Sequence, residues 1–368
     1  MGKLTAGYID IESLSSSLNF TRGNNSIIFH RGNDTSSFVR LVINVQTRYI
    51  NIDNSLINVN TIQEIGFPDE TTVFNIGEFI ENLQPQWSHP SSLFKNFPES
   101  SNNQEIIQPI KVEIICSKIN YNGSEVISPI NLDTLYFIKG NQSNSGFSMG
   151  FSMGFGGFYR KLMNIRPEWT SVVNGGFAII HVLNKSRKYW AWKNSVSIIE
   201  EGFTESSLDN KVISFIQKIN TNEAKIEFIY GNDSVNFLVR PEVKELVSVF
   251  FRNQHALPEV LNFRGGIVVE NDFNYNAKTS YSNFSHRHES LNFDETVTIT
   301  LSTGGLLPAD VPKVIELLKN EIATLYYKGK EFFVNPIKQK ITHFNSSSNI
   351  NQFSVKLNMS KRDYDSII

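Results

Sequence analysis

Thr296-Val-Thr-Ile-Thr-Leu-Ser302, Val311-Pro-Lys-Val-Ile-Glu-Leu-Leu318, Thr324-Leu-Tyr-Tyr-Lys-Gly-Lys-Glu-Phe-Phe-Val334 and Gln352-Phe-Ser-Val-Lys-Leu-Asn-Met359 succeed one another between Leu291 and Met359. In the first, Val297, Ile299 and Leu301 alternate with hydroxyl residues, as in a strand with one buried and one wet face. Gly304-Gly305, Pro308, Asp310 and Pro312 then mark a helix start, where proline fits the first turn and a carboxylate complements the free N–H groups. Val311, Val314, Ile315 and Leu318 recur at helical spacing and leave Lys313, Glu316 and Lys319 for solvent. Lys328-Gly-Lys330, between two aromatic runs, is a hairpin turn. Beyond the polar break Asn345-Ser-Ser-Ser-Asn349, the residues Phe353, Val355, Leu357 and Met359 share one face of a last strand. Residues 291–368 therefore read as a C-terminal α+β unit: strand, helix, hairpin, strand.

The rest of the chain is expected to be mainly β. Ile27-Ile-Phe29, Phe38-Val-Arg-Leu-Val-Ile-Asn-Val45 and Thr47-Arg-Tyr-Ile-Asn-Ile52 are short β-branched and aromatic runs separated by asparagine-rich turns. Asn75 and Glu78 have the spacing of a capping box, with Phe79, Ile80 and Leu83 as a brief helical face before Pro85. Ile110, Val112, Ile114 and Cys116 alternate cleanly with Lys111, Glu113 and Ser117. Strands at this spacing predict an N-terminal β-sandwich over residues 1–135. Ala178-Ile-Ile-His-Val-Leu183, Tyr189-Trp-Ala-Trp192, Lys211-Val-Ile-Ser-Phe-Ile216, Ala224-Lys-Ile-Glu-Phe-Ile-Tyr230 and Val235-Asn-Phe-Leu-Val239 extend the strand series through a central β-rich region, 161–290. Gly231-Asn-Asp-Ser234 is its hairpin turn, and Val243 to Phe251 fits either a strand or a short helix.

Composition limits the function classes. A chain of 368 residues exceeds one core, and 40% hydrophobic with 19% charged residues suits packed domains. With 34 Lys and Arg against 36 Asp and Glu, the net charge of -2 provides no field for nucleic acid or an anionic membrane. The single Cys116 permits no intramolecular disulfide and sits where a small buried apolar residue is wanted. Met1-Gly-Lys-Leu-Thr-Ala6 carries no export or myristoylation signal, and no apolar run approaches the roughly 20 residues of a membrane span. A chain soluble as made is expected.

Several of these segments resemble virion structural proteins of tailed phages from AT-rich, Bacteroidetes-like hosts. Phe293-Asp-Glu-Thr-Val-Thr-Ile299, Val314-Ile-Glu-Leu-Leu318, Leu325-Tyr-Tyr327 and Phe353-Ser-Val-Lys-Leu357 follow the order of an acidic strand, a hydrophobic helix, a short aromatic strand and a final strand in those proteins. Val73-Phe-Asn-Ile-Gly-Glu-Phe-Ile-Glu-Asn-Leu83 is similar to the strand and short helix of their opening sandwich module. The resemblance implies a non-enzymatic tail or baseplate protein, made in the host cytoplasm and residing in the virion. Its partners would be copies of itself in a homo-oligomeric ring and other virion proteins.

Gly146-Phe-Ser-Met-Gly-Phe-Ser-Met-Gly-Phe-Gly-Gly-Phe158 is a tandem repeat inside residues 136–160. Phe147, Met149, Phe151, Met153, Phe155 and Phe158 are more apolar surface than an exposed loop carries, so they are the candidate interface residues. A loop folded back over its own domain is the alternative. The segment lacks the GKS/T ending of a phosphate cradle, so nucleotide binding is not expected. His286 and His288, with Glu289 and Asp294 nearby, are weak metal candidates, since no third ligand follows from the spacing. No Gly-x-Ser-x-Gly or HExxH motif occurs, and Glu200-Glu201 adjoin without evident convergence, so neither catalysis nor a cofactor is expected. Two alternatives stay open: a glycan- or receptor-binding adhesin module in which Trp190 and Trp192 stack on sugars, and a capsid protein of tandem jelly rolls.

Overall fold

The computed structural model describes residues 4–6, 8–11, 19–22, 25–47, 57–83, 104–107, 109–141, 169–184, 187–205, 211–253, 255, 257–282, 285–306, 310–341 and 352–359. The chain is mainly β, in several sheets with two helices among the described residues. The first strands are β1 (Leu4–Ala6), β2 (Ile9–Ile11), β3 (Asn19–Arg22), β4 (Ser26–His30), β5 (Phe38–Thr47), β6 (Ile57–Gly66) and β7 (Thr71–Asn75), which leads into α1 (Ile76–Asn82). Then come β8 (Gln104–Ile107), β9 (Ile110–Ile119), β10 (Glu125–Asn131) and β11 (Leu135–Asn141). A four-stranded sheet, β1-β2-β4-β7, faces a larger one, β3-β11-β9-β5-β6 with β10 on β9.

These two sheets form the expected sandwich, and strict alternation builds it. Val39, Leu41, Ile43 and Val45 of β5 and Ile110, Val112, Ile114 and Cys116 of β9 all point into one core with Ile9, Ile27 and Phe29. Burial pushes the Cys116 thiol up to about 12, which fits its reading as a small core residue. The Asn75 side chain caps α1 by accepting from the Glu78 N–H at 3.2 Å, and Ile76 and Ile80 pack into the same core. Most of the strand expected at Thr47 to Ile52 lies outside the described residues. Lys118 is a charged residue buried in this region. Its side chain is 2% exposed, and its Nζ donates to the Arg31 carbonyl at 2.6 Å and to Asp34 at 2.5 Å.

The central strands are β12 (Trp169–Val173), β13 (Phe177–Leu183), β14 (Tyr189–Asn194), β15 (Ile198–Phe203), β16 (Val212–Lys218), β17 (Lys225–Tyr230) and β18 (Asp233–Arg240). They form a five-stranded sheet, β12-β18-β17-β14-β15, and a three-stranded sheet, β13-β16-β8. Gly231, at φ +60°, turns β17 into β18 as its sequence predicts. Strand β8 comes from inside the N-terminal stretch, so backbone pairing joins the two regions.

The last strands are β19 (Val247–Arg252), β20 (Pro258–Phe263), β21 (Ile267–Ser282) and β22 (Ser285–Ser302). They are followed by α2 (Val311–Lys319), β23 (Ala323–Tyr327), β24 (Lys330–Pro336) and β25 (Ser354–Met359). The strand, helix, hairpin, strand unit is present, inside a seven-stranded sheet β20-β19-β23-β24-β25-β22-β21 that also draws in residues from 247 onward. Lys328 and Gly329 both have positive φ, 49° and 81°, the backbone a two-residue hairpin loop needs. Within Val243 to Phe251, a turn at 244–245 precedes strand from Val247 onward, where Val247, Val249 and Phe251 alternate into the core under α2.

Two expectations for α2 need correction. Asp310 precedes the helix but does not cap it; its carboxylate accepts from the Ser171 N–H at 3.0 Å and the Ser171 hydroxyl at 2.6 Å. Lys313 is buried rather than in solvent, because the turn carrying it packs on β20. There its Nζ meets the Val260 carbonyl at 3.1 Å and Glu259 at 3.4 Å. The layers therefore stack in one order. The five-stranded sheet covers one face of the three-stranded sheet, Phe177, Ile179 and Ile216 on its other face meet Phe250 and Val260, and α2 closes the far side of the seven-stranded sheet.

Candidate functional site

Among the described residues, the features that stand out lie on the surface. Three places stand out. On the outer face of the larger N-terminal sheet, Ile62, Val42 and Ile115 lie directly opposite one another on β6, β5 and β9, each exposed. Strand pairing forces the alignment: with Val39, Leu41, Ile43 and Val45 turned inward, Val42 must turn outward. Arg40 with Glu64 on one side, and Asn44 with Glu113 on the other, frame the apolar row in polar contacts.

The second place is β15, the outer strand of the five-stranded sheet, which among the described residues pairs only with β14. Ile198 and Ile199 are exposed on it, Phe203 is 59% exposed, and Val196 lies in the turn before it. Gly202 lets β15 sit close over Trp190, since a Cβ there would meet the indole at 3.0 Å. Arg187 lies over the Phe203 ring and Tyr189 packs edge-on against it, while the Tyr189 hydroxyl bonds Glu201. Burial pushes the Glu200 carboxyl above its ordinary range, and among the described residues no cation sits beside it. A long exposed apolar edge is a template for pairing with another chain, and natural sheets usually blunt or cover it.

The third place is the β21–β22 hairpin. These strands pair from Ile267↔Leu301 out to Ser282↔Ser285, but β25 joins β22 only from Val297 to Ser302. Among the described residues, 272–282 and 285–296 thus continue past the pairing with β25 as a two-stranded ribbon, roughly 35 Å long at about 3.3 Å per residue. Among the described residues no third strand pairs with it. A lone two-stranded ribbon is marginally stable in water.

The expected site residues are placed unevenly. Phe147, Met149, Phe151, Met153, Phe155 and Phe158 lie outside the described residues. His286 and His288 stand on β22 opposite Tyr281 and Thr279, within the ribbon; their side chains are outside the described ones. Among the described residues no group of three His, Cys, Asp or Glu gathers as metal ligands would. Trp190 and Trp192, the indoles of the adhesin alternative, are core residues. Both are buried, Trp190 with its ring centre 4.9 Å from Phe215 and Trp192 at 4.7 Å from Phe228, so neither can present a face to sugar. His181 is a core histidine, its Nδ1 2.9 Å from the Ser214 hydroxyl. The three sheet assemblies differ in strand number and order, unlike the tandem pair that the jelly-roll alternative predicts.

His255, isolated in the sequence, is a buried polar group. It lies in the link between β19 and β20, and its Nδ1 donates to the Lys139 carbonyl of β11 at 2.8 Å while its ring packs on Phe20. Burial drives its pKa down to about 4. The adjacent Lys139 is also desolvated, its ammonium lowered to about 8. Where Ser171, Arg240, Arg264, Asp310 and Lys313 converge, the space left is about 20 Å³, enough for one water and too small for an organic ligand.

Known proteins add little to this geometry. No family model matches this chain. No curated protein matches it either. Among solved structures, a marsupial T cell receptor aligns over 86% of this chain and 96% of its own at 7% identity, with a TM-score of 0.16. Similarity that loose carries no argument. Among the described residues, no helix is long and apolar enough to cross a membrane.

Proposed function

We propose that this chain is a non-enzymatic structural protein of a virion, placed in the tail or baseplate of a tailed phage and working by assembly. Copies of the chain form a ring and contact other virion proteins. The observation that carries assembly is the combination of an apolar row at Ile62, Val42 and Ile115 with an open apolar edge at Ile198, Ile199 and Phe203. Apolar surface grouped in this way on a soluble chain marks contact with another protein. The virion assignment rests on the resemblance at Phe293 to Ile299, Val314 to Leu318, Leu325 to Tyr327 and Phe353 to Leu357. Those four segments are neighbours around one sheet and its helix. Symmetric assembly buries such patches in closed interfaces.

The test is the mass distribution of the purified full chain by sedimentation, with negative-stain images of the large species. Closed rings or stacked tubes are expected. A single 41.8 kDa species at every concentration overturns the self-assembly on which the reading depends.

A further inference from the structure

The outer face of the larger N-terminal sheet carries its apolar residues in a line that runs across the strands. Ile62 on β6, Val42 on β5 and Ile115 on β9 stand at one level of the pairing, and Ile62 is 62% exposed. Polar residues occupy the levels on either side. Two residues before Val42, Arg40 lies between Glu64 and Ser117; two residues after it, Asn44 lies between Asn60 and Glu113. Period-two alternation turns all of these to the same outer face.

The charges of this face suit a second copy of the chain better than a charged partner. On the outward positions of the three strands, Arg40 and Lys111 balance Glu64 and Glu113, and they are already joined as the pairs Arg40–Glu64 and Lys111–Glu113. A charged partner gains nothing from a neutral face, whereas a second copy can lay its apolar row on this one with both pairs intact. Two different two-fold axes would do so. An axis along the strands sets Arg40 of one copy against Arg40 of the other, which is repulsive. An axis along the row exchanges the two flanking levels instead. Arg40 then meets Asn44 of the second copy, Glu64 meets its Asn60 and Glu113 meets its Ser117, so no like charges face each other.

We propose that the β6-β5-β9 face is a self-complementary interface, packed on the same face of a second copy about a two-fold axis along the row of Ile62, Val42 and Ile115. Each residue of the row then meets its own counterpart and loses its exposure. The strands of the two copies run antiparallel, within the roughly 30° at which aligned sheets pack. Each of the three strands has ten residues. At about 3.4 Å per residue and about 4.8 Å between strands, the face covers roughly 500 Å² per copy. The total of roughly 1,000 Å² is at the lower bound of specific interfaces, the size of a contact that dilution separates. A two-fold contact closes at two copies, so it joins chains or whole rings back to back while ring growth uses another surface. The inference deepens the assembly reading above and rests on it.

The experiment uses the full chain. In Ile62→Lys each new ammonium faces its own copy across the axis, so the largest species in sedimentation is expected to fall to half its mass or less. A second pair of variants reads the register. Sheets packed face to face lie about 10 Å apart, too far for a disulfide but within reach of a short bismaleimide. Ile62→Cys is expected to give linked pairs of chains with that reagent, with Cys116 buried away from the reaction. Asn60→Cys is expected to give none, because residue 60 faces residue 64 of the second copy and the two thiols stand roughly 14 Å apart along the strands. An unchanged mass distribution in Ile62→Lys, or linking at residue 60 equal to that at residue 62, overturns the inference while leaving the assembly reading standing. An unaltered chain that stays a single 41.8 kDa species at every concentration overturns both.

Discussion

Replacing Asp34 by alanine tests Lys118, a buried cation of the N-terminal sandwich. The Lys118 ammonium is held by Asp34 at 2.5 Å and by the Arg31 carbonyl at 2.6 Å, with the Tyr8 ring centre 4.7 Å away. Deleting the carboxylate leaves a charge in a 2% exposed site, and breaking a buried pair in that way costs about 3–5 kcal/mol. Lys118→Met is milder. Asp34 is 23% exposed, can take water, and keeps the Ser36 N–H at 2.9 Å, so the loss is about 1–2 kcal/mol. The double variant should therefore be more stable than Asp34→Ala alone, regaining about 2 kcal/mol as the stranded charge disappears. Amide exchange in residues 39–45 and 112–116 reads the effect where it acts, independently of the other sheets. Burial alone would raise the Asp34 carboxyl, but hydrogen bonds from Lys118 and Ser36 and the Lys118 charge outweigh it and hold it below its ordinary 3.8. With the folded value depressed, the pair's stabilisation is complete above 3.8 and fades as the pH falls through the folded value. The reasoning is refuted if Asp34→Ala costs no more than Lys118→Met, or if the double variant is as unstable as Asp34→Ala.

Three further outcomes follow from the same structure. A Cβ on Gly77 would meet the Thr21 carbonyl at 2.2 Å, so Gly77→Ala should push α1 off β3 and lower stability by about 1–3 kcal/mol or more in thermal unfolding. His255 titrates near 4 when folded against 6.5 when free, so its contribution is full above 6.5 and falls toward pH 4 by about 3 kcal/mol. The wild-type stability slope across that window should exceed that of His255→Gln; equal slopes would remove the argument. Cys116 should stay unreactive toward a thiol reagent at about pH 8 in the folded chain and react on unfolding, because burial keeps the thiolate scarce.

Period-two alternation made most strands legible in the sequence, since Val39 to Val45 and Val297 to Leu301 show the buried face directly. Strand β6 escaped notice because Asn58, Asn60 and Gln63 dilute its pattern and its outer Ile62 is apolar. Polar side chains whose partners lie far off in sequence were illegible for another reason. Asp310 reads as a helix cap and Lys313 as a solvent lysine until Ser171 and Glu259 are brought beside them. The indoles of Trp190 and Trp192 have the same spacing in a core as on a sugar platform, and only the placement of Phe215 and Phe228 across from them decides. In the ribbon of β21 and β22, Phe273, Tyr275, Tyr281, Leu291 and Phe293 stand among asparagines, serines and charged residues that dilute the strand pattern.

Strand β8 also sets a timetable for synthesis. Residues 104–107 leave the ribosome long before Val212 to Phe215, the segment they pair with. The sandwich has all of its strands once residue 141 is made, so it can close while this short strand waits without a partner. The capture that follows spans more than a hundred residues and belongs among the slow, non-local steps of folding. Once made, it acts as a stitch. A chain cut anywhere between residues 142 and 168 should keep its two fragments together through β8 on β16 and through His255 on Lys139.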